Sequence, residues 1–164
     1  MIKKTLVAGL LLAAGVQQAA ADGKIFVQLP DLSIYEGYQA EEFLGRVVSA
    51  NVVSSNCTGY EVTEEEWSLL TDSADLLAYG QLKLSTDDYD RLFSKPAFDA
   101  LDEAGVCDRQ GPDVEVVLDE LVERGGSRQA LPDQEAAYEE WRALMNRLQA
   151  EANAAPATGK TKTK

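Results

Sequence analysis

Apolar residues recur at three- and four-residue spacing over most of the chain, and that spacing predicts helices. From Gln39, a stripe of Ala40, Phe43, Leu44, Val47, Val48 and Val52 runs to Asn56, where Cys57 and Thr58-Gly59 read as a helix exit and turn. Thr63-Glu64-Glu65-Glu66 forms a capping box: the Thr63 oxygen can accept from the Glu66 amide while the Glu66 carboxylate reaches back. Behind it Trp67, Leu70, Ala74 and Leu77 make one helical face, ending at Gly80. Ser85 to Asp88 repeats a cap signature and opens a short helix with Tyr89, Leu92 and Phe93. Lys95-Pro96 interrupts that helix, and Pro96 suits the first turn of another carrying Phe98 and Leu101.

Glu103-Ala104-Gly105-Val106 has the form of a Schellman ending, with Gly105 left-handed and Val106 covering the last turn. Gly111-Pro112-Asp113 then opens a helix whose inner face is Val114, Val117, Leu118, Leu121 and Val122, closed by Gly125-Gly126. After Pro132, residues 133–152 read as a last amphipathic helix with Ala137, Trp141, Leu144, Met145 and Leu148 on its apolar stripe. Strand-like alternation is confined to residues 24–29. The expected fold is all-α: a small bundle of five or six short helices with an extended N-terminal arm. The aromatics Trp67, Trp141, Phe43, Phe93 and Phe98 fall on helical faces and are expected in the core.

The first 21 residues do not fit that pattern. Lys3 and Lys4 precede an apolar run from Leu6 to Val16, and Ala19-Ala20-Ala21 supplies an A-x-A cleavage site. The run is about ten residues, half of what a bilayer span requires. It predicts a cleavable signal peptide, export to the periplasm of a Gram-negative bacterium, and no transmembrane segment after cleavage. The expected organisation is therefore 1–21 signal peptide, 22–38 arm, 39–152 helical domain and 153–164 disordered basic tail. The arm carries Ile25, Val27, Leu29, Ile34, Tyr35 and Tyr38, apolar enough to pack on the domain.

An oxidising compartment changes the meaning of Cys57 and Cys107. The even pair reads as a structural disulfide, since a redox-active pair normally has C-x-x-C spacing or an activating base. Both cysteines are placed just past a helix end.

Charge narrows the partners. The chain carries a net charge of −13, and loss of Lys3 and Lys4 takes it to −15. Residues 153–164 hold three lysines and no acid, so the body is more acidic still. Nucleic-acid binding is excluded as an expectation, because phosphate recognition needs clustered Lys and Arg. A cationic partner, or part of an envelope complex, suits an acidic surface.

Candidate chemistry is sparse. The chain has no histidine, which removes Ser–His and Cys–His nucleophilic systems and the common zinc sites. Haem-attachment and glycine-rich nucleotide motifs are missing, so no catalytic, cofactor or metal site is assigned. Carboxylates remain: Glu64-Glu65-Glu66, Asp87-Asp88 with Asp90, and Glu139-Glu140 could host an acid pair or calcium. Each lies at a helix start or on an exposed face, where the helix dipole already accounts for it. The candidate interface residues are Trp141 and Tyr138 on the last helix, with Glu64, Glu65 and Glu66.

At the cysteine pair the chain resembles small alphaproteobacterial periplasmic proteins of unknown function, some encoded beside respiratory-complex genes. The shared elements span about residues 40–130: a first helix ending in Asn56-Cys57-Thr58-Gly59, a mid-chain helix pair, Cys107, and a helix ending in Gly125-Gly126-Ser127. The resemblance implies an all-helical, disulfide-linked periplasmic domain and brings no agreed activity with it. The expected function, a non-enzymatic accessory or assembly factor docking on an envelope complex or a cationic soluble partner, rests instead on the lack of catalytic residues, the compact helices, the cysteine pair and the excess of acid. In outline the chain is also similar to periplasmic acid-stress chaperones, which are all-α and acidic with one disulfide. It departs from them at Cys57, which lacks their Trp-Thr-Cys start, and in its long C-terminal extension. The alternative functions are accordingly an acid-stress chaperone or an inhibitor of a cationic hydrolase.

Overall fold

A computed structural model describes residues 23–154. The expected signal peptide and residues 155–164 of the tail lie outside the described residues. Five helical runs make up the described chain, and the all-α fold is as the spacing predicts.

The first, α1 (Tyr38–Asn56), is the central helix: Phe43, Leu44, Val47 and Val53 on it are at most 2% exposed. It packs against both the second and fourth runs. The second, α2, begins at Glu64 with both capping-box bonds in place, Glu66 N–H to Thr63 Oγ1 at 3.2 Å and Thr63 N–H to Glu66 Oε2 at 3.0 Å. Its α-helical part, Glu64–Asp75, continues as a π-helical turn over Leu76–Gln81.

The third run, α3, needs a correction to the sequence reading. It starts at Thr86 behind the Ser85 cap and is not interrupted at Lys95-Pro96. A π turn over Asp90–Ser94 leads into Lys95–Asp99, and the Lys95 amide reaches the Asp90 carbonyl five residues back. Pro96 removes the donor to the carbonyl four residues back, that of Leu92, and its ring crowds that oxygen; widening the preceding turn accommodates the ring without ending the helix. The extra residue also re-phases the face. Tyr89, Phe93, Ala97 and Leu101 pack inward at four-residue spacing, and Phe98 is 55% exposed instead of buried. Trp67 is also 40% exposed, because periodicity fixes an angle around a helix and says nothing of depth along it.

A second correction concerns Gly105. It is left-handed (φ 71°), but it precedes helix α4 (Val106–Glu123), and no Schellman bond forms there: the Val106 amide donates to Glu103. Helix α4 therefore opens before Gly111-Pro112, and Cys107 sits inside its first turn, not in a connecting turn. Pro112 is accepted within the helix. Gly111 serves packing: a Cβ there would meet the Tyr60 ring at 2.2 Å. The Schellman motif is at the other end, where Gly126 N–H reaches Leu121 O and Gly125 N–H reaches Val122 O around a left-handed Gly125. On the same helix Val122 is 39% exposed and not part of the inner face.

The last helix, α5 (Gln134–Ala154), is capped by Asp133, whose Oδ1 accepts from the Ala136 amide. It takes in residues 153 and 154, which the sequence reading gave to the tail. The disulfide joins Cys57, in the extended residue that ends α1, to Cys107, with Cα atoms 5.5 Å apart. It fixes the central helix to the start of α4.

The arm lies along the α4–α5 connection. Val27 makes an antiparallel bridge with Ala130, and Leu131 N–H and Ser127 N–H donate to Phe26 O and Gln28 O. The Gln134 side chain accepts from Phe26 N–H and donates to Phe26 O. With Phe26, Val27 and Leu32 buried, the arm is a wall of the domain.

Candidate functional site

Under the arm, α2 and α5 meet at a buried carboxylate. Helix α2 presents Ser68 and Asp72 on one side of its apolar stripe, one helical turn apart. Asp72 is 1% exposed. Its Oδ1 accepts from the Trp141 indole N–H at 3.0 Å and from the ammonium of Lys24, which the arm carries in. That ammonium lies 3.8 Å from the Trp141 ring centroid and 5.4 Å from that of Phe26. One cation is thus held by a carboxylate and two aromatic rings, an arrangement that gains strength with desolvation. The second oxygen, Asp72 Oδ2, is buried and has no hydrogen-bond partner.

Asp72 also lines a cleft of about 230 Å³ between the arm and α5. Phe26, Val27, Leu29, Leu131, Ala137 and Leu144 form its apolar walls, and the exposed Glu140 contributes to its lining. The cleft thus pairs an apolar interior with very few acidic groups.

Asp75, one turn further on, is half-buried. Burial pushes its carboxyl up to about 7, the neighbouring Asp72 charge adds to this, and Lys24 opposes it. Burial likewise raises Asp72, against the opposing charge and hydrogen bond of Lys24 and the indole bond of Trp141. The Asp75 charge in turn adds to the burial that raises the phenols of Tyr79 and Tyr89, whose rings are 5.9 Å apart. A row of acids and tyrosines therefore runs from Asp72 to Tyr89, and burial is the largest cause of the raised value of each.

The residues singled out in the sequence fall in two places. Trp141 and Tyr138 come together beneath the arm, each with its ring under 6 Å from Phe26. Both are half-buried, so much of each ring serves the arm's own packing. Glu66 caps α2 and also pairs with Arg128, whose guanidinium reaches Glu115 and Asp119 on α4 as well. This four-residue cluster ties the α4–α5 connection to two helices. Glu64 stands exposed and Glu65 half-buried beside it. Asp72, Asp75 and Lys24 were not singled out. The available signal was an acid among Leu69, Leu70, Ser73 and Ala74, where a solvated face would not put one.

A second, more open cleft of about 390 Å³ lies between the arm's end and α1. Tyr35 stacks on Phe43 there at 4.4 Å, and Glu120 joins Tyr35 and Arg46. Its one closely knit acid is already satisfied. Among the described residues no group of three or more His, Cys, Asp or Glu side chains is placed to hold a metal ion, and no helix is long and apolar enough to cross a membrane. No family model, no curated protein and no solved structure matches this chain.

Proposed function

We propose that this protein is a non-enzymatic periplasmic interaction protein, an accessory or assembly factor that docks a cationic partner belonging to an envelope complex. The observation that carries the reading is the Asp72 centre: a buried carboxylate and two aromatic rings built around the Lys24 ammonium, with a largely apolar cleft beside it that Glu140 also lines. The overall excess of acid, −13 on the chain, favours encounter with a basic surface and disfavours nucleic acid. The disulfide fits an oxidising compartment.

The test is retention of periplasmic proteins on the immobilised mature chain at low and at high salt. A basic protein held at low ionic strength and released by salt is the expected result, since exposed charges are screened beyond about 10 Å at 0.1 M. Recovery of no partner at low ionic strength refutes the reading.

A further inference from the structure

We propose that the cleft beside Asp72 binds an alkyl- or arylammonium group, carried by a lysine side chain of a partner or by a free amine, with Lys24 as its resident intramolecular analogue. Only the choice of a protein as carrier rests on the function proposed above.

A carboxylate oxygen that is buried and unpartnered bears the full cost of losing its water, and such atoms are uncommon in folded proteins. Here that oxygen belongs to a residue lining a cleft. A water could satisfy the oxygen but would leave the apolar walls of Val27, Leu29, Leu131 and Leu144 unfilled. A donor on a short hydrocarbon stem satisfies both, and about 230 Å³ is ample for four to six carbons.

Charge selects the donor. Lys24 balances Asp72, and Glu140 leaves the lining with one net negative charge, so a cationic head is favoured over an alcohol or an amide. A divalent metal is a poor fit, since a single carboxylate converges and no three-ligand group exists among the described residues. Lys24 demonstrates the chemistry: its ammonium already occupies the Trp141 face and Oδ1. A second ammonium at Oδ2 shares the carboxylate with Lys24 and is weakened by that neighbour. Removing the Lys24 charge therefore strengthens external binding.

The experiment follows the indole N–H resonance of Trp141 in the mature, oxidised protein, assigned with a Trp67→Phe variant. The probes are n-butylammonium and Nα-acetyl-lysine amide, against 1-butanol and Nα-acetyl-norleucine amide at matched ionic strength. A saturable shift with the two ammonium probes and not with the neutral pair is expected. Lys24→Met should tighten it about tenfold or more, the equivalent of one charge-assisted hydrogen bond, and Asp72→Asn should abolish it. Should Asp72→Asn not fold, the Lys24→Met gain and a loss of affinity in Glu140→Gln decide the matter.

Equal shifts from amines and neutral isosteres, or no saturable shift in either the wild type or Lys24→Met, overturn the inference. Tighter binding of the lysine amide assigns the carrier to a protein, and tighter binding of n-butylammonium assigns it to a free amine. A captured basic protein that n-butylammonium fails to compete away overturns this inference and leaves the proposed function standing. Ammonium binding with no captured partner does the reverse.

Discussion

Neutralising Asp75 should stabilise this protein most where carboxylates are normally ionised. Its carboxyl is raised from 3.8 to about 7, chiefly by burial. At about 1.4 kcal/mol per pH unit, that displacement corresponds to a ceiling of about 4 kcal/mol. A raised folded-state value means that protonation favours the folded form. The added stability is complete below 3.8, falls as the pH rises toward 7, and is gone above it. Wild-type protein should therefore gain about 3 kcal/mol on going from pH 8.5 to pH 5. Asp75→Asn should exceed the wild type by about 4 kcal/mol at pH 8.5 and by about half that at pH 5. The groups set around Asp75 are Asp72, Lys24, Tyr79 and Tyr89; Asp72 is shifted the same way and adds to the trend, while both tyrosines stay protonated throughout. Urea unfolding of the disulfide-bonded protein at the two pH values, read by circular dichroism, measures both differences. A variant no more stable than wild type at pH 8.5 would refute the burial argument. The trend also opposes loosening in mild acid, so a chaperone-like transition would have to begin below about pH 4, where the unfolded carboxylates protonate too.

Three further predictions test the fold. Reducing the disulfide, or replacing both Cys57 and Cys107 by serine, should cost about 4 kcal/mol by the chain-entropy relation for a 50-residue separation; an unchanged denaturation midpoint would contradict it. Gly111→Ala should cost about 1–3 kcal/mol in thermal or urea unfolding, because the new methyl meets the Tyr60 ring at 2.2 Å. A neutral or stabilising result would mean that Tyr60 can swing away. Thr63→Ala should lose about 1 kcal/mol, and Glu66→Ala more, since Glu66 also pairs with Arg128; equal losses in the two variants would show that the Arg128 cluster contributes nothing.

Much of the helical order was legible because its causes are local. The Thr63–Glu66 reciprocal cap, the Ser85 cap and the Gly125-Gly126 stop each depend on residues within one turn, and they stand where the spacing puts them. The stripe on α1 and the inner face of α4 from Val114 to Leu121 follow from period alone. The cysteine pairing followed from there being two cysteines and from the expectation of export.

Tertiary structure decided the rest. Pro96 and Pro112 read as boundaries, because proline's local cost argues for an end; packing of Tyr89, Phe93, Ala97 and Leu101 on one side of α3, and of Val106 and Val114 on α4, outweighs it. One π turn over Asp90–Ser94 then moved Phe98 out to solvent. The Asp72 centre required three segments far apart in sequence, the arm, α2 and α5, to meet before an acid in an apolar stripe became a cation site. The sequence by itself determined the Thr63 and Ser85 caps, the Gly125-Gly126 stop and the apolar stripes of α1 and of α4 from Val114 to Leu121, because those are governed by interactions a few residues long. Only the tertiary structure decided which polar group is buried, since the cost of burial depends on what covers the group, and no window along the chain records that.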